Sequence, residues 1–387
     1  MKLALLFFSF SVTLCFAQNQ FKGLLLDSQT KEPIEFVNVY NGKDYTISNE
    51  DGRYEFSTSR DSVVFYLIGY DKLKTTFEQL QDTILLTKSV FELNEVVVTN
   101  GKTLYQKVKD SIRKNYKLEP YKEKFLIRAL AKKDNEIWRI QDLQGKLKRN
   151  TLFYLKNMEQ TKKDYTIELT NMRKLGAVTD ENNAYLKFPS FQQILNELVT
   201  MNIEESEFDI EESFFENGSK IKLTFKSRPE EKVKNISGYY VIDAKTYAIQ
   251  TYHLKSVPKN NPFKKNKFLK YRTSFYDVTV YFKKSIEKDA YFISSAKSIY
   301  KVETTDEEKS FNLVYELTSI LTTSDNFGDF KVKKNVSATR DLFKLKYPYN
   351  AEYWNSQNQL LLTEEMQEFI QKMGKENNEF KVRSNMD

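Results

Sequence analysis

From residue 21 onward apolar and polar side chains alternate along most of the chain, and turn residues punctuate the runs. That is the pattern of half-buried β-strands. Residues 21–27 lead into a turn at 28–33, residues 34–40 alternate with period two, and Asn41-Gly42 is a hairpin turn whose residues tolerate positive φ. The turn Asn49-Glu50-Asp51-Gly52 precedes a strand at 53–56, and a further strand is expected at 61–70. A spacing of about 8–12 residues between strands predicts a small antiparallel β-sandwich of the seven-stranded type.

Asn100-Gly101 is a natural hinge, after which the period becomes helical. Thr103 is placed to cap a helix in which Leu104, Val108 and Ile112 share a face, while Lys107, Lys109, Arg113 and Lys114 fill its polar surface. Residues 121–172 return to strands, including 124–128 and 136–140. Ser190 with Gln193 reads as a capping box for a helix carrying Phe191, Ile194, Leu195 and Leu198 on one side. Strands follow at 208–215, 220–225, 238–243, 247–250, 275–282, 291–302 and 311–321, with turns at Asn217-Gly218 and Ala244-Lys245-Thr246. Thr363 caps a last helix whose Met366, Phe369, Ile370 and Met373 lie together, stopped by Gly374, before a polar tail at 376–387.

The expected fold class is therefore mostly β. An N-terminal sandwich precedes an α+β domain with a curved antiparallel sheet, a half-barrel being one form it could take, and a few helices. The expected organisation is a signal peptide at 1–17, the sandwich at 18–99, a linker helix at 100–118, the β-rich domain at 119–345, and an aromatic segment, helix and tail at 346–387.

Composition narrows the chemistry. The 387 residues contain one His and one Cys, too few for a Cys/His zinc site or a His-rich metal centre. Neither a metal nor a cofactor is expected. Lys2, an apolar run at 3–14, and Cys15-Phe16-Ala17 with small residues at both ends form a signal-peptide pattern, too short to span a bilayer. Cleavage is expected before Gln18, and Leu14 argues against lipid attachment at Cys15. No later run is long and apolar enough for a membrane-spanning helix. The expected setting is the periplasm, or the outer membrane and cell surface. A net charge of +7 in an exported chain does not suggest nucleic-acid binding.

The ordered set Gly23, Asp27, Thr30 and Pro33, then 49–54, then Ile68-Gly69-Tyr70, with the closing run 93–99, resembles the carboxypeptidase-regulatory-like, or prealbumin-like, β-sandwich at the N-terminus of many Bacteroidetes envelope proteins. The resemblance implies an accessory domain and an envelope setting. It does not imply a zinc carboxypeptidase, because His253 is the only histidine. Residues 238–250 are similar to hairpins of lipoprotein-carrier-like half-barrels, in which a curved sheet wraps a helix and can shelter an acyl chain. The remainder resembles a Bacteroidetes domain of unknown function that follows such a sandwich.

Two patches stand out as candidate contacts. In the run 259–272, Lys264, Lys265, Lys267, Lys270 and Arg272 are interleaved with aromatics including Phe268, a pattern suited to anionic lipid or glycan. Its plain alternative is a solvated hairpin loop. Tyr349, Tyr353 and Trp354 form a candidate aromatic platform, with core packing as the alternative. No catalytic residue is expected. His253 has no recognisable triad spacing, and adjacent acids on a strand, such as Glu211-Glu212, point to opposite faces. The expected function is a non-enzymatic binding or scaffold module with an envelope protein or glycan as partner. Peripheral membrane contact, a lipid or acyl-chain carrier and a carboxylate-dependent hydrolase are the alternatives.

Overall fold

The computed structural model describes residues 19–89, 91–92, 103–154, 161, 163–178, 188–198, 207–228, 234–265, 269–285, 288–305, 310–322, 330–375, 381–382 and 384–386. The signal-peptide region, the hinge at 100–101, and Lys267 with Phe268 lie outside them. The protein is mostly β and divides into two compact units. One comprises Met1–Lys88 with Asn358–Leu361, and the other Ser89–Gln357 with Leu362–Asp387.

The first unit contains β1 (Asn19–Asp27), β2 (Asn38–Tyr40), β3 (Tyr45–Ile47), β4 (Arg53–Thr58), β5 (Ser62–Tyr66), β6 (Leu73–Thr76) and β7 (Thr83–Leu86). They form a three-stranded sheet, β4-β1-β7, and a four-stranded sheet, β3-β2-β5-β6, an arrangement consistent with a β-sandwich. Alternate residues of both sheets, including Leu25, Val39, Tyr54, Phe56, Val63 and Phe65, are buried. The Tyr54 and Phe65 rings meet edge-on at 5.5 Å from different sheets.

Two expectations need correction here. β1 pairs with β7 in parallel, so the unit is not wholly antiparallel. Residues 34–37 are not strand: Phe36 has φ 63°, and the Ser48 hydroxyl accepts from Val37 N while donating to Ile34 O, so side-chain bonds join the backbone bonds to Ser48 in an irregular turn. The residues that carried the resemblance have structural work in this unit. Asp27 accepts from Gln29 N and Thr30 N, each at 2.9 Å, and from the Tyr70 hydroxyl at 3.0 Å. Gly52 has φ 72°, and a Cβ there would stand 2.5 Å from Leu25 O.

The second unit contains β8 (Phe91–Glu92), α1 (Leu104–Asn115), β9 (Tyr121–Lys133), β10 (Glu136–Arg149), β11 (Tyr165–Val178), α2 (Phe191–Glu197), β12 (Phe208–Phe215), β13 (Lys220–Ser227), β14 (Lys234–Asp243), β15 (Ile249–Pro258), β16 (Lys264–Lys265), β17 (Lys270–Ser285), β18 (Ala290–Thr305), β19 (Ser310–Thr322), α3 (Ala351–Ser356), α4 (Glu364–Lys375) and β20 (Lys381–Val382). Its strands form one large curved, open sheet in the order β20-β11-β10-β9-β19-β18-β17-β15-β14-β13-β12-β8, with β16 attached to β17. Every pairing in it is antiparallel. The strands β9, β10 and β17 run well past the segments 124–128, 136–140 and 275–282 expected from alternation, whereas β18 and β19 lie close to the long strands expected at 291–302 and 311–321.

One face of this sheet, here the inner face, packs on α1 and α2. Phe125, Leu143, Leu169, Phe225, Tyr252, Val280, Ala296 and Leu317 belong to a single core with the apolar sides of both helices. α1 starts at a capping box between Thr103 and Gln106. It is fixed by side-chain bonds to the β14–β15 turn, from Ser111 to Tyr247 O at 3.0 Å and from Asn115 to Thr246 O at 2.9 Å. It is thus integral to the second unit. Gly238, in the hairpin likened to a half-barrel, has no room for a side chain, since a Cβ would lie 2.6 Å from the Phe225 ring.

The outer face carries α4. Met366 is buried with Leu130, Ile140 and Leu175, and Phe369, Ile370 and Met373 pack beside them. Thr363 caps this helix by accepting from Met366 N at 3.2 Å. The helix passes Gly374 and ends at Lys375. Lys132 of β9 ties it to the sheet through Glu365 at 2.7 Å.

Candidate functional site

The described part of the basic run 259–272 extends the sheet by a short strand at the start of β17. β16 pairs with the start of β17, Lys264 opposite Tyr271 and Lys265 opposite Lys270. Asn260 takes φ 52°, and Asn261 donates from its amide to Thr273 O at 2.8 Å. Leu269 is buried and anchors the return strand. Arg272 Nε donates to Glu303 at 2.7 Å, and its guanidinium lies 4.6 Å from the centre of the Phe263 ring. The pairing sets Lys265 opposite Lys270, while Lys264 points to the other face of the same short strand pair, and all three are exposed cations. The structure separates Arg272 from them in role, because that charge is held by Glu303.

The aromatic segment is arranged differently from a platform. Tyr349 and Tyr353 are half-buried, but Trp354 is buried. Arg173 places its guanidinium 4.8 Å from the Trp354 ring centre, and Tyr353 meets that ring edge-on at 5.0 Å. A ring covered in this way has little free face for a sugar, which favours the core-packing alternative for Trp354.

Trp354 sits against a row of charges that runs straight across the outer face. Thr318 opposes Arg128, Arg128 opposes Asp142, and Asp142 opposes Arg173 on four adjacent strands. Asp142 accepts from Arg128 Nε at 2.8 Å and Nη2 at 3.1 Å, and from Arg173 Nε at 3.1 Å. Burial opposes ionisation of Asp142, but the two guanidinium groups outweigh it and hold the carboxyl below its ordinary range. Met366 of α4 reaches this row, its sulfur 3.5 Å from Arg128 Nη1.

On the inner face a second ion pair is sealed completely. Arg149 bonds Glu123 Oε1 through Nε at 3.1 Å and Nη2 at 2.9 Å, and both side chains are 0 % exposed. Arg149 stands opposite Tyr121 on one neighbouring strand and Tyr165 on the other. Burial pushes the Glu123 carboxyl up against the pull of Arg149.

Glu197, in the last turn of α2, is the acid that alternation did not single out. Its Oε2 is buried without a hydrogen-bond partner, and desolvation pushes its carboxyl up to about 8. It influences the ionisation of Tyr276, whose ring lies 4.8 Å from that of Tyr300. The only cue in the sequence is its position next to the apolar side of a short helix. His253 sits on a strand with Nε2 3.2 Å from Asp277 Oδ2 and its ring 5.1 Å from Tyr239. Among the described residues no three or more His, Cys, Asp or Glu side chains gather where they could hold a metal ion.

Compared with known families and with curated proteins, the sequence matches no family and no curated relative.

Proposed function

We propose that this chain is a non-enzymatic, exported envelope protein that acts as a binding or scaffold module toward a protein or glycan. In this reading the first unit is an accessory domain of the carboxypeptidase-regulatory-like kind. The observation that carries the proposal is the packing of α2. Phe191 is 0 % exposed, and Ile194, Leu195 and Leu198 are each 1 % exposed, so the helix fills the inner face at its position instead of roofing a chamber. The buried acids Glu123 and Asp142 are committed to arginines, which favours a structural role for them over hydrolysis. Among the described residues no helix is long and apolar enough to cross a membrane.

A carrier of lipid or lipoprotein acyl chains is the second reading, and one observation favours it. Ile236, Leu254, Tyr276, Tyr300, Val302 and Phe311 are only partly buried against the inner core. Native mass spectrometry after gentle extraction separates the two readings. The mass of the polypeptide alone is expected, and a stoichiometric lipid-sized addition would favour the carrier.

A further inference from the structure

The segment that carries the exposed lysines also carries two of the three large hydrophobic side chains exposed among the described residues. The three are Leu85 at 46 %, Val257 at 37 % and Phe263 at 39 %. Val257 is the next-to-last residue of β15 and Phe263 immediately precedes β16, so two of the three flank one turn. Lys259, Lys264, Lys265 and Lys270 are exposed on the same segment. Lys264, Lys265 and Lys270 make no ion pair among the described residues.

The described residues around them are held in place: Asn261 bonds to Thr273 O, Leu269 is buried, and Arg272 links to both Phe263 and Glu303. Side chains already held in place lose little conformational entropy on binding. Unpaired cations next to solvent-facing apolar side chains suit one kind of surface, in which phosphates meet the lysines and acyl chains receive the apolar groups. A polyanionic glycan would use the lysines but leave Val257 and Phe263 without a role.

We infer that the β15–β17 segment is a peripheral docking point for an anionic phospholipid surface, with Lys264, Lys265 and Lys270 on the headgroups and Val257 and Phe263 inserted among them. The inference deepens the reading above and takes from it only the envelope setting. Vesicle binding can fail while the scaffold reading stands, and a lipid-loaded protein in native mass spectrometry would overturn that reading without touching this segment.

The test is co-sedimentation of the full chain with phosphatidylglycerol–phosphatidylcholine vesicles against vesicles of phosphatidylcholine alone. Binding to the first and not the second is expected. Exchanging Lys264, Lys265 and Lys270 together for serine should weaken it about a hundredfold, since each lysine near the surface is worth about 1 kcal/mol. Phe263→Ser should weaken binding at high salt, where the apolar part remains after the charges are screened. Asp306-Glu307-Glu308 follow β18 in the sequence. Their replacement by serine should tighten binding, and a loss would count against the proposal. Phe263→Trp supplies a second readout, with emission shifting to the blue on vesicle addition. Unchanged emission, equal binding by the triple-serine variant, or binding to an anionic polysaccharide without binding to the vesicles would overturn the proposal.

Discussion

Replacing Asp142 with asparagine should destabilise the second unit by about 3–5 kcal/mol, because it leaves two buried guanidinium groups facing each other without a counter-charge. Arg128 and Arg173 are 5 % and 11 % exposed in their side chains, and Asp142 is 1 % exposed, so water offers little replacement. Both tryptophans, Trp138 and Trp354, belong to the second unit, and Trp354 packs on Arg173 itself. Tryptophan emission during denaturant unfolding therefore reads this unit directly. A midpoint unchanged in Asp142→Asn would mean that the row does not form.

The same row has a pH signature. A carboxyl held below its unfolded value stabilises the folded state above that value, about 3.9 for Asp, and loses the contribution as pH falls through its folded value. The folded value of Asp142 is depressed. The wild-type chain should therefore lose stability as pH drops below about 4, and Asp142→Asn should lack this part of the slope.

The second large effect lies on the inner face. Glu123→Gln should cost about 3–5 kcal/mol, since Arg149 would remain charged at 0 % exposure without its anion. Replacing both members, Glu123→Leu with Arg149→Met, should recover most of that loss, because removing a buried pair avoids desolvating either ion. Denaturant midpoints of the single and double variants decide the matter. A double variant as unstable as the single would assign Arg149 a role outside the pair, for example in ordering Tyr121 and Tyr165.

These charge sites were invisible in the sequence for a definite reason. Arg128, Asp142 and Arg173 are far apart along the chain and meet only because β9, β10 and β11 are neighbours in one register. A shift of a single residue would turn each to the other face. What alternation and capping chemistry did reveal was local. The Thr103 cap of α1, the capping box of α2, the turns at Asn41-Gly42, Asn217-Gly218 and residues 244–246, and the apolar face of α4 needed only contacts within a few residues. Residues 34–37 read as strand from alternation because the positive φ of Phe36, which breaks the strand, leaves no mark in the hydrophobic pattern. The parallel β1–β7 pair was misread because no local pattern separates parallel from antiparallel partners. Platform and core packing stay open for Trp354 in the sequence because aromatic clustering reads the same whether a cation from a distant strand covers the ring or not. The basic run was legible as charge, whereas the exposure of Val257 and Phe263 beside it was not.

The account rests on α2 being part of the core of the second unit and not a movable cover over a ligand. Native-state hydrogen exchange measures this directly, at the amides of Ile194 and Leu198, which donate to Ser190 O and Ile194 O. Protection as strong as that of the central strands β9 and β10, unchanged by added phospholipid, is the predicted result. Exchange in α2 that is much faster than in those strands and is slowed by phospholipid would contradict it.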